Sequence, residues 1–157
     1  KIFVCGNGGS ASIANHFLCD FNKGIKSSSK HRIKPKIISL SDNIELVTAI
    51  SNDFSFDKIF SFQLDNYYSK GDIVILLSCS GNSKNIINTL NYCKKKNIYT
   101  ITLTGFANKY IQKKTNINYN LGIKNYGIRE DFFQIIMHMI CQNIILNFIK
   151  NKNKLIL

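Results

Sequence analysis

No apolar run in this 157-residue chain reaches the length of a bilayer span. The longest, Ile135 to Ile149, is broken by His138, Gln142 and Asn143. A membrane protein is therefore not expected. No signal-peptide pattern precedes the first strand pattern, Lys1-Ile2-Phe3-Val4-Cys5, and so abrupt a start predicts that N-terminal sequence is missing. There is no Cys-x-x-Cys pair, no internal repeat and no interdomain linker. The five cysteines, Cys5, Cys19, Cys79, Cys93 and Cys141, sit in apolar or motif segments, which predicts reduced thiols in a cytoplasmic protein. Acidic residues are scarce, nine against 21 lysines and arginines, for a formal net charge of +12. The basic residues are dispersed over loops and helix ends rather than gathered on one element with aromatics, so no nucleic-acid partner is expected. Attraction of small anionic substrates accounts for part of the charge.

What is present is alternation. Apolar strand patterns at 2–5, 36–40, 72–78, 99–103 and, more weakly, 117–121 alternate with helical spacing at 10–22, 43–50, 56–68, 83–96, 108–114 and 129–149. Strands apolar on both faces, separated by helices, predict a five-stranded parallel sheet covered on both sides, a flavodoxin-like, doubly wound α/β domain spanning 1–157. Segment 23–34, rich in Ser and Lys, is expected to be a mobile loop. Ligands of such sheets bind beyond the strand C-termini, which directs attention to the loops there.

Two of those loops suit a phosphate. Gly6-Asn7-Gly8-Gly9-Ser10 lets the backbone turn sharply, and Ser10 can cap a helix whose free N–H groups favour an anion. Its spacing fits neither the dinucleotide fingerprint nor a Walker loop, so no nucleotide cofactor is expected. Ser78-Cys79-Ser80-Gly81-Asn82-Ser83 places three hydroxyls around a helix start, without a Lys or Arg of its own. It suits a sugar phosphate better than a nucleoside triphosphate. Each loop alone also reads as an ordinary turn.

Further along, His16 and Asp20 share a helix face, and Glu130, Gln134 and His138 occupy successive turns of the last helix. Should those faces meet, two imidazoles and two carboxylates converge. They could bind zinc or another divalent ion, or exchange protons in an aldose–ketose interconversion through an enediol. Plainer readings stand beside these. His16 could be a core histidine, and Glu130 and Asp131 could favour a helix dipole. Arg129 could reach an anion or lie on the surface. Ile135, Ile136, Met139, Ile140 and Ile144 form a core or subunit-interface stripe. His31 is expected to be solvated.

Gly6–Ser10, His16, Ser51-Asn52-Asp53-Phe54, Ser78–Ser83 and Thr100–Gly105 occur here in the order found in phosphoheptose isomerases, and the chain resembles that family of sugar isomerase (SIS) domains from Lys1 to about Ile149. The resemblance implies conversion of sedoheptulose 7-phosphate to a heptose 7-phosphate, a homotetramer with interfacial active sites, and one or two helices before the first strand. It implies that Asn7, Gly8, Gly9 and Ser10 hold the sugar. Ser78, Cys79, Ser80 and Ser83 would hold the phosphate, with Asn52 and Asp53 lining the same pocket. It implies zinc held by His16, Asp20, Glu130 and His138, with Asp20, Glu130 and His138 catalytic. Two departures are visible: Asp20 stands where the family has Glu, and Glu130 where it has Gln. The pattern Asn125–Asp131 looks like the branch associated with surface-polysaccharide clusters. The rival function is a non-catalytic SIS adaptor or sugar-phosphate sensor that binds a protein partner.

Overall fold

The computed structural model describes residues 1–29 and 33–148. Five parallel strands, β1 (Ile2–Cys5), β2 (Ile37–Ser39), β3 (Ile73–Ser78), β4 (Tyr99–Thr104) and β5 (Ile117–Asn120), form one sheet in the order β2-β1-β3-β4-β5. The chain reverses its direction of winding between β1 and β3, so the loops after those two strands adjoin. Register is continuous across that seam, with Val4 opposite Ile75 and Cys5 opposite Leu76.

Successive side chains of a strand point to opposite faces, and the core divides accordingly. Phe3, Cys5, Val74 and Leu76 pack under α3 (Ile44–Asp53), α4 (Ile59–Tyr67), α5 (Lys84–Lys95) and α6 (Lys109–Lys114). Val4, Ile75, Leu77 and Leu103 pack under α1 (Gly9–Cys19) and α7 (Tyr126–Phe148). The doubly wound α/β expectation holds.

The start of α7 and the stretch after α1 differ from expectation. α7 begins at Tyr126 rather than Arg129, because the Asn125 side chain accepts from the Ile128 N–H and caps an earlier start. The stretch after α1 is helical where a loop was expected: a π-helical turn, Asp20–Ile25, leads into a short helix, α2 (Lys26–Ser28). Composition concealed it, but spacing explains it. Ile13, Phe17, Phe21 and Ile25 are all buried and recur every four residues. An α-helix turns about 100° per residue, so each such step overshoots the core face by about 40°. Widening the last turn returns Ile25 to the core. The remainder of the expected loop includes residues 30–32, with His31, which lie outside the described residues.

Candidate active site

α1 and α7 lie side by side on one sheet face and run in the same direction. Gly9 faces Glu130, His16 faces His138, and the Asp20 carbonyl accepts from Cys141 Sγ at 3.7 Å. The functional side chains gather at two levels of this pair.

The first level is the strand C-terminal edge. Gly8 caps α1 with φ +56°, a conformation that costs glycine little. Gly81, φ +66°, turns the serine loop, where its N–H donates to the Ser78 carbonyl (3.2 Å) and Ser78 Oγ (3.1 Å). Ser80 Oγ accepts from the Asn82 N–H at 3.1 Å and lies 3.4 Å from Ser83 Oγ. The two loops are stitched together by a reciprocal amide pair, with Asn7 Nδ2 donating to Asn85 Oδ1 (2.9 Å) and Asn85 Nδ2 to Asn7 Oδ1 (2.8 Å). Between them opens a pocket of about 180 Å³ whose walls include Asn7, Ser10, Ser78, Cys79, Ser80, Ser83, Tyr126 and Glu130. Burial pushes the Cys79 thiol up, and the nearby Glu130 carboxylate adds to the effect against a Ser10 hydrogen bond and the Arg129 charge. The shift disfavours the thiolate, which is the nucleophilic form of a cysteine.

The second level is further along the two helices. His16 Nε2 lies 3.1 Å from His138 Nε2, and Asp20 Oδ2 lies 3.5 Å from the first and 3.3 Å from the second. Asp20 Oδ2 is shut off from solvent and makes no hydrogen bond among the described residues. Three ligand atoms at about 2.0–2.1 Å from a tetrahedral ion stand roughly 3.4 Å apart, so this triangle has the dimensions of three vertices of a zinc site. Both imidazoles are half exposed, leaving the open side toward solvent.

The expected residues fall unevenly on these levels. Asn7, Ser10, Ser78, Cys79, Ser80 and Ser83 line the pocket, while Gly8 and Gly9, between Asn7 and Ser10 in the chain, are not part of its lining. Glu130 stands apart from the triangle, eight residues and about 12 Å of helix before His138. Its carboxylate covers Gly9, where any side chain would collide with it, and its Oε1 lies 3.9 Å from Cys79 Sγ. Beside His138 is instead Gln134, whose side-chain nitrogen is 2.8 Å from His138 Nε2. Asn52 and Asp53, expected in the pocket, are absent from its lining. Both are exposed at the end of α3, where Asn52 donates to Asp53 at 2.9 Å. Arg129, for which a surface position stood open, is completely buried. Asn85 and Tyr126 were not anticipated. Helical spacing already put Gln134 on the right face, whereas the Asn7–Asn85 pair spans 78 positions and leaves no local trace.

These features can be set against known proteins. The family model described as "SIS domain" matches residues 1–105, which defines the class as a SIS-domain α/β protein. The probable phosphoheptose isomerase of Thermoplasma acidophilum is 34% identical over 141 residues, 90% of this chain and 76% of that one. The phosphoheptose isomerase of Campylobacter concisus is 32% identical over 142 residues, 90% and 74% of the respective chains. The solved phosphoheptose isomerase of Neisseria gonorrhoeae is similar with a TM-score of 0.82 at 28% identity, covering 92% of this chain and 75% of that chain. The protein belongs to the phosphoheptose isomerase family, and is an enzyme of the isomerase class.

Proposed function

We propose that the protein interconverts sedoheptulose 7-phosphate and D-glycero-D-manno-heptose 7-phosphate, supplying a heptose precursor for surface polysaccharide. The observation that carries this reading is the two-level arrangement on α1 and α7. A hydroxyl-lined pocket suited to phosphate sits at one level, and a proton-exchanging cluster about 12 Å along the helix at the other. A seven-carbon ketose phosphate likewise carries its phosphate at one end and its reacting carbons at the other.

In this reading Ser78, Ser80 and Ser83 and the start of α5 receive the phosphate. Asn7, Gly8, Gly9 and Ser10 hold the sugar chain, and Glu130 accepts from its hydroxyls. Asp20 and His138, 3.3 Å apart, share the proton work. Asp20 takes the proton from the carbon beside the carbonyl, His138 moves the proton on the oxygen, and the product forms through an enediol. The donor set of His16, Asp20 and His138 also fits a zinc ion, with the Gln134 amide able to turn its oxygen inward. When bound, such an ion would polarise the substrate oxygens. Ile128, Phe132, Ile135 and Met139 form an exposed apolar stripe on α7, on the helix that carries His138, which favours a homo-oligomer, taken as a tetramer, with its sites at the interfaces. All five cysteines are unpaired, in keeping with the cytoplasm.

The test is incubation of the protein with sedoheptulose 7-phosphate, with and without zinc, followed by product analysis. Conversion to the aldose phosphate is expected. No conversion under either condition would sink the reading and move the balance to a sugar-phosphate sensor.

A further inference from the structure

Among the described residues Arg129 is the largest fully buried side chain, and its position is constructed rather than incidental. It lies behind the serine loop. Nη1 donates to the Cys79 carbonyl at 3.1 Å and Nε donates to the Ile123 carbonyl. The guanidinium stacks 3.6 Å from the centre of the Phe106 ring, with Tyr126 at 5.0 Å. Room for it is made by Gly105, where a β-carbon would come within 2.5 Å of the Cys79 carbonyl oxygen and 2.6 Å of Arg129 Nε. Nη2 is buried without a hydrogen-bond partner, and among the described residues no carboxylate pairs with the charge. Burying an arginine without a counter-ion costs several kcal/mol as an order of magnitude, so a plain packing role explains it poorly.

We propose that Arg129 is a positioning and specificity residue for the phosphate: it fixes the Cys79–Ser80 peptide with its N–H toward the pocket and supplies the positive charge that the serine loop lacks. This rests on the serine loop being the phosphate site. In a trans peptide the C=O and the following N–H point in opposite directions. With the Cys79 carbonyl held back by Arg129, the Ser80 N–H is turned forward, and it donates to no backbone or side-chain acceptor among the described residues. The guanidinium, one peptide behind the pocket and shielded by aromatic rings, acts on an anion there through little intervening solvent. Its effect falls on phosphate binding rather than on proton transfer at the far level.

Inorganic phosphate is the probe, followed by calorimetry and by the backbone amide spectrum of ¹⁵N-labelled wild-type protein. Titration is expected to shift the Ser80 amide strongly. Arg129→Lys keeps the charge but loses the fork, and Arg129→Met removes both. They are expected to weaken phosphate binding about tenfold and more than tenfold, about 1.4 kcal/mol for each factor of ten, and to raise KM for the sugar phosphate with kcat little changed. The paired Ser80→Ala and Ser83→Ala variants separate the two claims. If they weaken phosphate binding while both Arg129 variants bind like wild type, the role of Arg129 is overturned and the phosphate site stands. If the serine variants bind phosphate normally as well, the phosphate site itself is overturned. Should the Arg129 variants not fold, the wild-type titration decides: an unmoved Ser80 amide beside shifted Ser78 and Ser83 amides overturns the proposal.

Discussion

The two ends of the α1–α7 pair are built on opposite principles. At the serine-loop end, glycine conformations, paired amides and a buried arginine fix the backbone, and the groups that face the pocket are largely main-chain and hydroxyl. At the other end His16, Asp20 and His138 crowd together, the two imidazoles half exposed with their nitrogens 3.1 Å apart, beside a buried carboxylate oxygen that has no hydrogen bond among the described residues. The first end has a fixed backbone, and what it leaves unpaired is the buried Arg129 charge behind the loop. The second is satisfied only when a proton or a cation mediates between its members. Substitution should therefore disturb folding at one end and chemistry at the other.

The largest expected effect is at the cluster. His138→Ala or Asp20→Asn should cut turnover by roughly 10²–10⁴-fold, while thermal unfolding followed by circular dichroism stays close to wild type. Retained activity in either variant would dissolve the distinction. At the loop end, Gly105→Ala should cost about 1–3 kcal/mol in urea unfolding, because the added methyl meets the Cys79 backbone and the arginine stem. Gly9→Ala is the control within that end. Its methyl would meet the mobile carboxylate of Glu130, so a cost clearly below that of Gly105→Ala is expected. Ser80→Ala should raise KM about tenfold, by loss of one charge-assisted hydrogen bond, and leave kcat nearly intact. The smallest effect is a pH slope far from both ends. Burial on the core face of α5 pushes the Cys93 thiol up to about 12. The folded state then holds a proton that the unfolded chain releases above its ordinary thiol pKa near 8.5. Stability is whole below that value and falls by up to about 1.4 kcal/mol per pH unit toward 12. Cys93→Ala should flatten this slope in alkaline urea titrations.

The two ends also differed in how far the sequence disclosed them. Both loops were legible, because Gly-x-Gly-Gly-Ser and the serine run after a strand are local statements about backbone conformation and hydroxyl supply. For the cluster, i,i+4 spacing puts His16 and Asp20 on one face, but the sequence left open whether that face meets His138 on the last helix. Glu130 was misjudged as a neighbour of the cluster because eight residues share a helix face yet stand two turns apart. Arg129 and Asn85 were hidden for another reason. Their partners, Cys79, Gly105 and Asn7, lie 50, 24 and 78 positions away, and nothing in a local pattern says that a cation or an amide will be buried. The strand positions came through because an all-parallel sheet requires runs apolar on both faces.

The π-helical turn after α1 carries a consequence in phase rather than in contacts. Ile13, Phe17, Phe21 and Ile25 beat at four residues against a helix whose natural beat is about 3.6, and the accumulated lag is discharged in one widened turn just past Asp20. A chain shortened by Gly24 would average about 3.7 residues between the same four side chains, and an unbroken α-helix would then suffice. The turn thus works as a single-residue leap inserted so that the core stripe and the reactive face, His16 and Asp20, can each keep their own time.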